Sequence, residues 1–101
     1  MRGSKSGLPL MALLDLLGRS WAMGVLWQLC DGGPATFRQL QGRCENVSPS
    51  VLNARLKDLR RGQLVERSDA GYAATQLGVG LFDLLKPLRP WAENWADALR
   101  E

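Results

Sequence analysis

The 101-residue sequence predicts a mostly helical α+β domain with six helices and one β-hairpin. Three observations support this fold class. Apolar residues recur every three or four positions through most of the chain, which is the spacing of a helix face. Ser, Thr and Pro stand where helices would begin. One short segment, residues 64–74, instead has the pattern of two strands around a turn. We expect residues 1–7 to form a flexible tail and residues 8–101 to form one domain.

Two helices are predicted after the tail. The leucines of residues 8–17 have the i, i+3, i+4, i+7 spacing of one helix face, and Gly18 ends this first helix. Ser20 is the predicted N-cap of a second helix over residues 21–30, which is apolar on nearly all sides. Because it has no polar face, we expect this second helix at the centre of the domain.

The middle of the chain predicts two helices joined by a turn. Thr36, with Gln39 three residues later, has the pattern of a capping box, so a short third helix begins there. Ser48 is the predicted N-cap of a fourth helix over residues 49–61, which has Pro at its first position. Gly62 is expected to end this helix in a left-handed conformation.

The C-terminal third predicts a hairpin followed by two helices. Thr75 is the N-cap of a fifth helix, which two prolines should end near Lys86. A last helix is predicted over residues 91–99. A short helix, a turn, a longer basic helix and a hairpin, in that order, form a winged helix-turn-helix with a short two-stranded wing.

The positive charge of the chain is concentrated in its middle third. The net charge is +3, but residues 36–67 alone carry +4, whereas residues 1–35 carry +1 and residues 68–101 carry −2. Such an asymmetry is typical of a face that binds phosphate groups.

The composition excludes several function classes. With no histidine and only two cysteines, the chain has too few ligands for a zinc site, and we expect no cofactor. The motifs of nucleophilic and nucleotide-dependent enzymes are absent, so we expect no enzyme. Cys30 and Cys44 are interpreted as buried thiols rather than a disulfide. No apolar run approaches the about 20 residues that span a bilayer, and a signal cleavage site is lacking, so we expect a cytoplasmic protein without a membrane partner.

The fourth helix has one apolar face and one polar face. With Leu52 at the centre of the buried side, small and basic residues fall within about 40° of the opposite pole: Ser50, Ala54, Lys57 and Arg61. Asn53 lies on the flank, and Arg55 lies nearer the edge of the core. Small residues permit close approach to a groove, Asn bonds adenine, and Lys or Arg reaches guanine or phosphate. The alternative for the helix alone is a solvent-exposed polar face.

Six motifs follow one another between about residues 13 and 95. They read L-L-G-R-S-W-A-M-G-V-L-W-Q-L, F-R-Q-L, V-S-P-S-V-L-N-A-R-L-K-D-L, G-Q-L-V-E-R, T-Q-L-G and P-W-A-E-N-W. In this order and spacing the chain resembles the HxlR family of bacterial winged helix-turn-helix regulators. The resemblance implies a sequence-specific transcriptional regulator that binds double-stranded DNA as a homodimer. It places the helix over about residues 48–61 in the major groove and the wing near the minor groove.

Candidate site residues follow from this hypothesis. We expect base contacts from Ser50, Asn53 and Lys57. Phosphate contacts are expected from a polar and basic set: Thr36, Arg38, Ser48, Arg55, Arg61 and Arg67. The resemblance also implies that the first and C-terminal helices build the dimer, through a set of apolar residues: Leu10, Leu13, Leu14, Leu85, Leu88, Trp91 and Trp95.

Two features keep alternatives open. Seven residues separate Arg67 from Thr75, and none is basic, so the predicted wing is short and offers little attraction to phosphate. The alternative function is therefore a winged-helix protein-interaction module with weak or lost DNA binding. The four tryptophans also suggest a pocket for a small-molecule effector, although core and dimer packing is the favoured interpretation of them. A separate difference from the family concerns cysteine. Members of the HxlR family often carry Cys-Pro just before the first helix, whereas this chain has Leu8-Pro9 and so lacks a thiol at that position.

Overall fold

A computed structural model of the chain describes residues 7–100, which form six α-helices and one antiparallel hairpin. The predicted mostly helical winged fold is confirmed. In chain order the elements are α1 (Pro9–Leu17), α2 (Ala22–Asp31), α3 (Phe37–Arg43), α4 (Pro49–Arg61), β1 (Val65–Ser68), β2 (Gly71–Ala74), α5 (Gln76–Leu85) and α6 (Leu88–Leu99). The predicted N-terminal tail, residues 1–7, lies outside the described residues except for Gly7.

The hydrophobic core surrounds α2. This helix packs against α1, α3, α4, α5 and β2, as expected for a helix that is apolar on nearly all sides. The leucines on the predicted buried face of α4 also lie in this core. Its largest fully buried side chains come from α2, from α3 with the residue that follows it, and from α4: Val25, Leu26, Leu29, Leu40, Cys44, Leu52, Leu56 and Leu59. Each such leucine contributes about 1.5–3 kcal/mol relative to an exposed one, so the core fixes α4 firmly in the domain.

Three helices begin at the predicted caps. Thr36 and Gln39 form a complete capping box, in which the Thr36 hydroxyl accepts from the Gln39 N–H at 3.1 Å and the Gln39 side chain accepts from the Thr36 N–H at 3.0 Å. Ser48 Oγ accepts from the Val51 N–H at 3.3 Å at the start of α4. Thr75 caps α5 in the same way. Each cap satisfies an N–H that has no partner within the helix and contributes about 1 kcal/mol.

The predicted Ser20 cap of α2 is wrong. The N-cap is Trp21, in a left-handed conformation with φ of 69°, and no side chain caps the helix. The half-buried indole packs against the core, and its Cε3 lies 3.0 Å from the position that a Cβ on Gly24 would occupy. Packing of the indole, rather than a capping hydroxyl, therefore determines where α2 begins.

The predicted left-handed stop at Gly62 is also wrong. Gly62 has φ of −77°, and the left-handed residue is the next one, Gln63, with φ of 61°. Gly62 leaves room for Leu16, whose Cδ2 lies 3.2 Å from the position that a Cβ on Gly62 would occupy. The glycine thus serves the contact between α1 and α4 rather than the backbone turn.

The last helix begins earlier than predicted. α5 ends at Leu85, close to the expected position, but α6 starts at Leu88 instead of Trp91. Pro90 is the third residue of α6. A proline is tolerated there because the first N–H groups of a helix have no intrahelical acceptor.

The hairpin forms the predicted two-stranded wing. Val65 pairs with Ala74, and Arg67 pairs with Tyr72 across the strands. A further one-residue bridge, which the sequence did not predict, joins Ala35 to Tyr72 through N–H to carbonyl bonds of 2.8 and 3.0 Å. Gly71, with φ of 120°, is required at this point because a Cβ there would lie 2.6 Å from the Ala35 carbonyl oxygen. The bridge fixes the wing beside the start of α3.

Within residues 7–100, no individual helix has both the length and the apolar composition to cross a membrane. α1 and α2 pass that test only as a pair, across a bend of 85°.

Candidate nucleic-acid interface

α3 and α4 are joined by a tight turn that its own residues stabilise. Glu45 and Asn46 both adopt left-handed conformations, with φ of 56° and 57°. The Gln41 side chain donates to the Val47 carbonyl at 2.9 Å, and the Asn46 N–H donates to the Gln41 carbonyl at 2.9 Å. These bonds hold the two helices in the arrangement of a helix-turn-helix.

Arg43 connects this unit to the end of α2. Its Nη1 donates to the carbonyls of Gly33 at 2.6 Å and Gln28 at 3.3 Å. Carbonyl groups at a helix C-terminus carry partial negative charge, so a guanidinium is a favourable partner there. Sequence reasoning missed this role. The available signal was a basic residue in the last turn of α3, but its acceptors lie in another part of the chain.

The outer face of α4 carries the side chains that the sequence assigned to it. Leu52 is fully buried, whereas the predicted contact residues on the other side are exposed: Ser50, Asn53, Lys57 and Arg61. Arg60 is exposed as well, and its helical position places it on the same flank as Asn53. Sequence reasoning had not included Arg60. The exposed face therefore combines short polar side chains near the start of α4 with three cations toward its end.

Arg55 has different surroundings from the other predicted contacts. Its side chain is only 20% exposed, and its Nε lies 3.4 Å from Asp58 Oδ2. The same Nε is buried and makes no hydrogen bond. The guanidinium thus extends along the flank of α4, as expected for a cation at the edge of the core.

Three further predicted contacts lie on α3 or at the helix N-caps, and one of them adjoins the wing. Thr36 is exposed at the start of α3, and its Cα lies 2.7 Å from the position that a Cβ on Gly71 would occupy, so it adjoins the wing. Arg38 is exposed on α3, and the exposed Ser48 hydroxyl lies 3.4 Å from that of Ser50.

The wing holds one basic side chain. Arg67 Nη1 donates to the Tyr72 hydroxyl at 3.2 Å, and its guanidinium carbon lies 5.0 Å from the Tyr72 ring centroid. The turn residues Asp69 and Ala70 are exposed and provide no cation. The wing therefore presents a single, oriented guanidinium one pair before its turn, and the turn itself is neutral to acidic.

α6 and α1 expose a large apolar surface. α6 has no buried residue, and Trp91 and Trp95 are 63% and 54% exposed, with their rings stacked at a centroid distance of 6.5 Å. The predicted dimer residues are exposed or half-buried: Leu10, Leu13, Leu14, Leu85 and Leu88. Exposed apolar surface of this kind is typical of a protein–protein interface.

The remaining aromatic and thiol groups lie in the body of the domain. Trp27 packs edge-on against Phe82 at a centroid distance of 4.9 Å. Cys30 and Cys44 are free thiols. Burial raises the pKa of both, and Asp83 adds to the effect at Cys30. Both thiols are therefore protonated and weakly nucleophilic near neutral pH.

Among the described residues, no three His, Cys, Asp or Glu side chains come together in a set that could hold a metal ion.

A family model and a bacterial relative both match this chain to helix-turn-helix regulators. The family model described as HxlR-like helix-turn-helix matches residues 16–100. The HTH-type transcriptional regulator YvaP of Bacillus subtilis (strain 168) is 29% identical over 91 residues, covering 83% of this chain and 83% of YvaP.

Two solved structures are similar in both sequence and fold. A possible HxlR family transcriptional factor from Thermoplasma volcanium GSS1 has a TM-score of 0.79 and 28% identity, covering 89% of this chain and 86% of that one. Quinone-bound YodB from B. subtilis has a TM-score of 0.73 and 27% identity, covering 84% of this chain and 96% of that one.

Proposed function

Because this chain belongs to the family of HxlR-like helix-turn-helix transcriptional regulators, we propose that it binds double-stranded DNA sequence-specifically as a homodimer. α4 enters the major groove, and the wing lies along the adjacent backbone. Duplex DNA as the ligand implies a cytoplasmic location.

The observation that carries the proposal is the exposed face of α4. Ser50 and Asn53 are short enough for α4 to approach base edges closely, and an Asn side chain can bond adenine bidentately. Lys57 extends from the same exposed side and can reach a guanine. The leucines of the opposite face are buried in the core, so the scaffold fixes the position of the helix that carries these three side chains.

Phosphate contacts orient α4 in the groove. The exposed candidates surround α4 on α3, at its own ends and on the wing: Thr36, Arg38, Ser48, Arg61 and Arg67. Arg55 belongs to the predicted set, but it must leave its contact with Asp58 to reach a phosphate. We therefore rank it below the exposed arginines as a direct contact.

A homodimer accounts for the apolar surface of α1 and α6. A helix of 12 residues with no buried side chain gains little from its own domain, and a second copy of the chain can cover its tryptophans. Two copies also supply two α4 helices, which matches the two half-sites of an inverted-repeat operator.

A mobility-shift series across salt concentrations tests the proposal. Neutralising phosphates releases counterions, so log affinity should fall linearly with log salt, with a slope of about −0.9 for each phosphate contact. Lys57→Ala should weaken specific binding by about tenfold, which corresponds to a base contact of 1–3 kcal/mol. Lys86→Ala is the matched control, because Lys86 is an exposed lysine at the end of α5, outside the proposed DNA contacts, and pairs with Asp83. Equal loss in both variants would remove Lys57 from the site.

A second candidate function is a protein-interaction module. The neutral to acidic turn of the wing favours it, since a wing with a single cation gains little from phosphate. Failure to bind any duplex at low salt, together with a folded dimer, would support this candidate and contradict DNA recognition.

Response to a small molecule is a further part of the proposal. One structural relative is quinone-bound YodB, and this chain places half-buried Trp27 against Phe82 with the Arg89 guanidinium 5.9 Å from the Trp27 ring. A planar aromatic effector that stacks on Trp27 should quench its fluorescence. Titration of the wild type and of Trp27→Phe with a quinone tests this, and equal quenching in both would exclude Trp27.

A further inference from the structure

Asp58 lies on α4, and its carboxylate contacts two arginines. Oδ1 lies 3.0 Å from Arg19 Nη1, and Oδ2 lies 3.4 Å from Arg55 Nε. The Asp58 side chain is only 14% exposed. A free carboxylate on a helix that approaches DNA would repel phosphates, and the two guanidinium groups neutralise and orient it.

Arg19 belongs to the connection between α1 and α2. It also lies 3.6 Å from Asp15 of α1, so a chain of alternating charges runs from Asp15 through Arg19 and Asp58 to Arg55. Beside this chain, Leu16 of α1 packs against Gly62 at the end of α4. The end of α1 and the residue Arg19 that follows it thus contact α4 through an apolar side chain and through a directional ion pair.

We propose that Arg19 is a positioning residue for DNA recognition, which acts through Asp58 to hold α4 at a fixed angle to α1. This inference rests on the proposed function, because α1 carries part of the proposed dimer face and α4 is the proposed recognition helix. In a dimer, the angle between α1 and α4 determines the separation and relative rotation of the two α4 helices. The Arg19–Asp58 pair therefore determines which spacing between half-sites the dimer accepts.

The loss of this pair should change geometry more than stability. An ion pair with one partly exposed partner contributes little to the stability of a domain. Without Arg19, Asp58 retains Arg55 as a partner, so α4 remains folded on its leucines. Its tilt relative to α1, however, loses the directional contact that restricts it.

The test is a spacing scan on an inverted-repeat duplex selected from a random library by the wild-type protein. Each base pair added or removed between the half-sites moves them by about 3.4 Å and rotates them by about 35°. The wild type should bind the preferred spacing about tenfold better than spacings one base pair away. Arg19→Gln should bind the preferred spacing several-fold less tightly and discriminate between spacings by less than about threefold.

Two controls separate positioning from general electrostatics. Arg19→Lys keeps a cation beside Asp58 and should restore most of the wild-type spacing preference. Arg100→Gln removes one positive charge near the C-terminus, where Arg100 pairs with Asp97, and should leave the spacing preference unchanged. Circular dichroism and the mass of the dimer in solution verify the fold of each variant. Asp58→Asn, which preserves size, replaces Arg19→Gln if that variant does not fold.

The outcomes are distinguishable. If Arg19→Gln retains the wild-type spacing preference, Arg19 has no positioning role, although DNA binding itself stands. If the wild type selects no duplex from the library, the proposed function fails, and the role of Arg19 fails with it.

Discussion

Arg67 and Tyr72 face each other across the two strands of the wing, where the Arg67 guanidinium both donates to the Tyr72 hydroxyl at 3.2 Å and lies over its ring. The pairing restricts the conformations of a long side chain before any ligand binds, which lowers the entropy lost on binding. The wing thereby makes one well-oriented cation available despite its short length.

Arg67→Gln should weaken duplex binding and reduce the magnitude of the log–log salt slope by about 0.9, the contribution of one phosphate contact to B-DNA. The reason is the loss of the only basic side chain between residues 62 and 85. Mobility shifts at four or more salt concentrations measure the slope. Arg100→Gln, which removes an arginine outside the proposed DNA interface, serves as the control. An unchanged slope in Arg67→Gln would show that Arg67 does not contact phosphate.

The helix caps and buried helix faces that the sequence predicted correctly depend on residues that lie close together in the chain. The capping box of Thr36 and Gln39 spans three residues, and the buried face of α4 repeats every three or four. Such patterns can be read from the sequence because the residues that interact are the residues that form the pattern.

The features that sequence did not predict depend on distant residues. Trp21 replaces Ser20 as N-cap of α2 because its indole packs into the core. Arg43 bonds carbonyls 10 and 15 residues away, and Arg19 contacts Asp58 across 39 positions. A charged residue in a sequence does not specify its partner, so these contacts appear only once the fold brings the segments together.

Gly78→Ala should destabilise the domain by about 1–3 kcal/mol, because a Cβ at this position would overlap the carbonyl oxygen of Leu64. The first turn of α5 lies against the start of the wing there, and neither backbone segment can move easily. Urea unfolding measures the effect. Gly80→Ala is a matched control in the same helix: a Cβ on Gly80 meets no atom within 4 Å, and the change should stabilise α5 by up to about 1 kcal/mol. Equal stabilities for the two variants would contradict the close packing.

The Cys44 thiol should make the stability of the domain fall at alkaline pH. Burial raises the pKa of Cys44 in the folded state, so the unfolded chain loses this proton first as pH rises. The contribution is fully present below about pH 8.5, the ordinary pKa of a free thiol, and is lost as pH rises through the folded-state pKa. Urea unfolding between pH 7 and 10 should therefore show a steeper loss for the wild type than for Cys44→Ala. The cavity left by the alanine lowers stability at every pH and does not affect this comparison. Parallel pH profiles would show that Cys44 ionises equally in both states.

Trp95→Glu should shift the protein from dimer to monomer. The Trp95 side chain is 54% exposed and stacks on Trp91, so both indoles are available to a second copy of the chain. Truncating an aromatic anchor of an interface typically costs 2 kcal/mol or more, and a buried carboxylate adds to this cost, so dimer dissociation should increase by at least about 30-fold. Sedimentation equilibrium measures the change. Leu77→Glu places the same charge at an exposed leucine of α5 outside the predicted interface, and it should remain dimeric. If the proposed dimer contacts two half-sites, Trp95→Glu should also bind an inverted-repeat duplex less tightly while binding a single half-site as well as the wild type does. A dimer of unchanged stability in Trp95→Glu would exclude α6 from the interface.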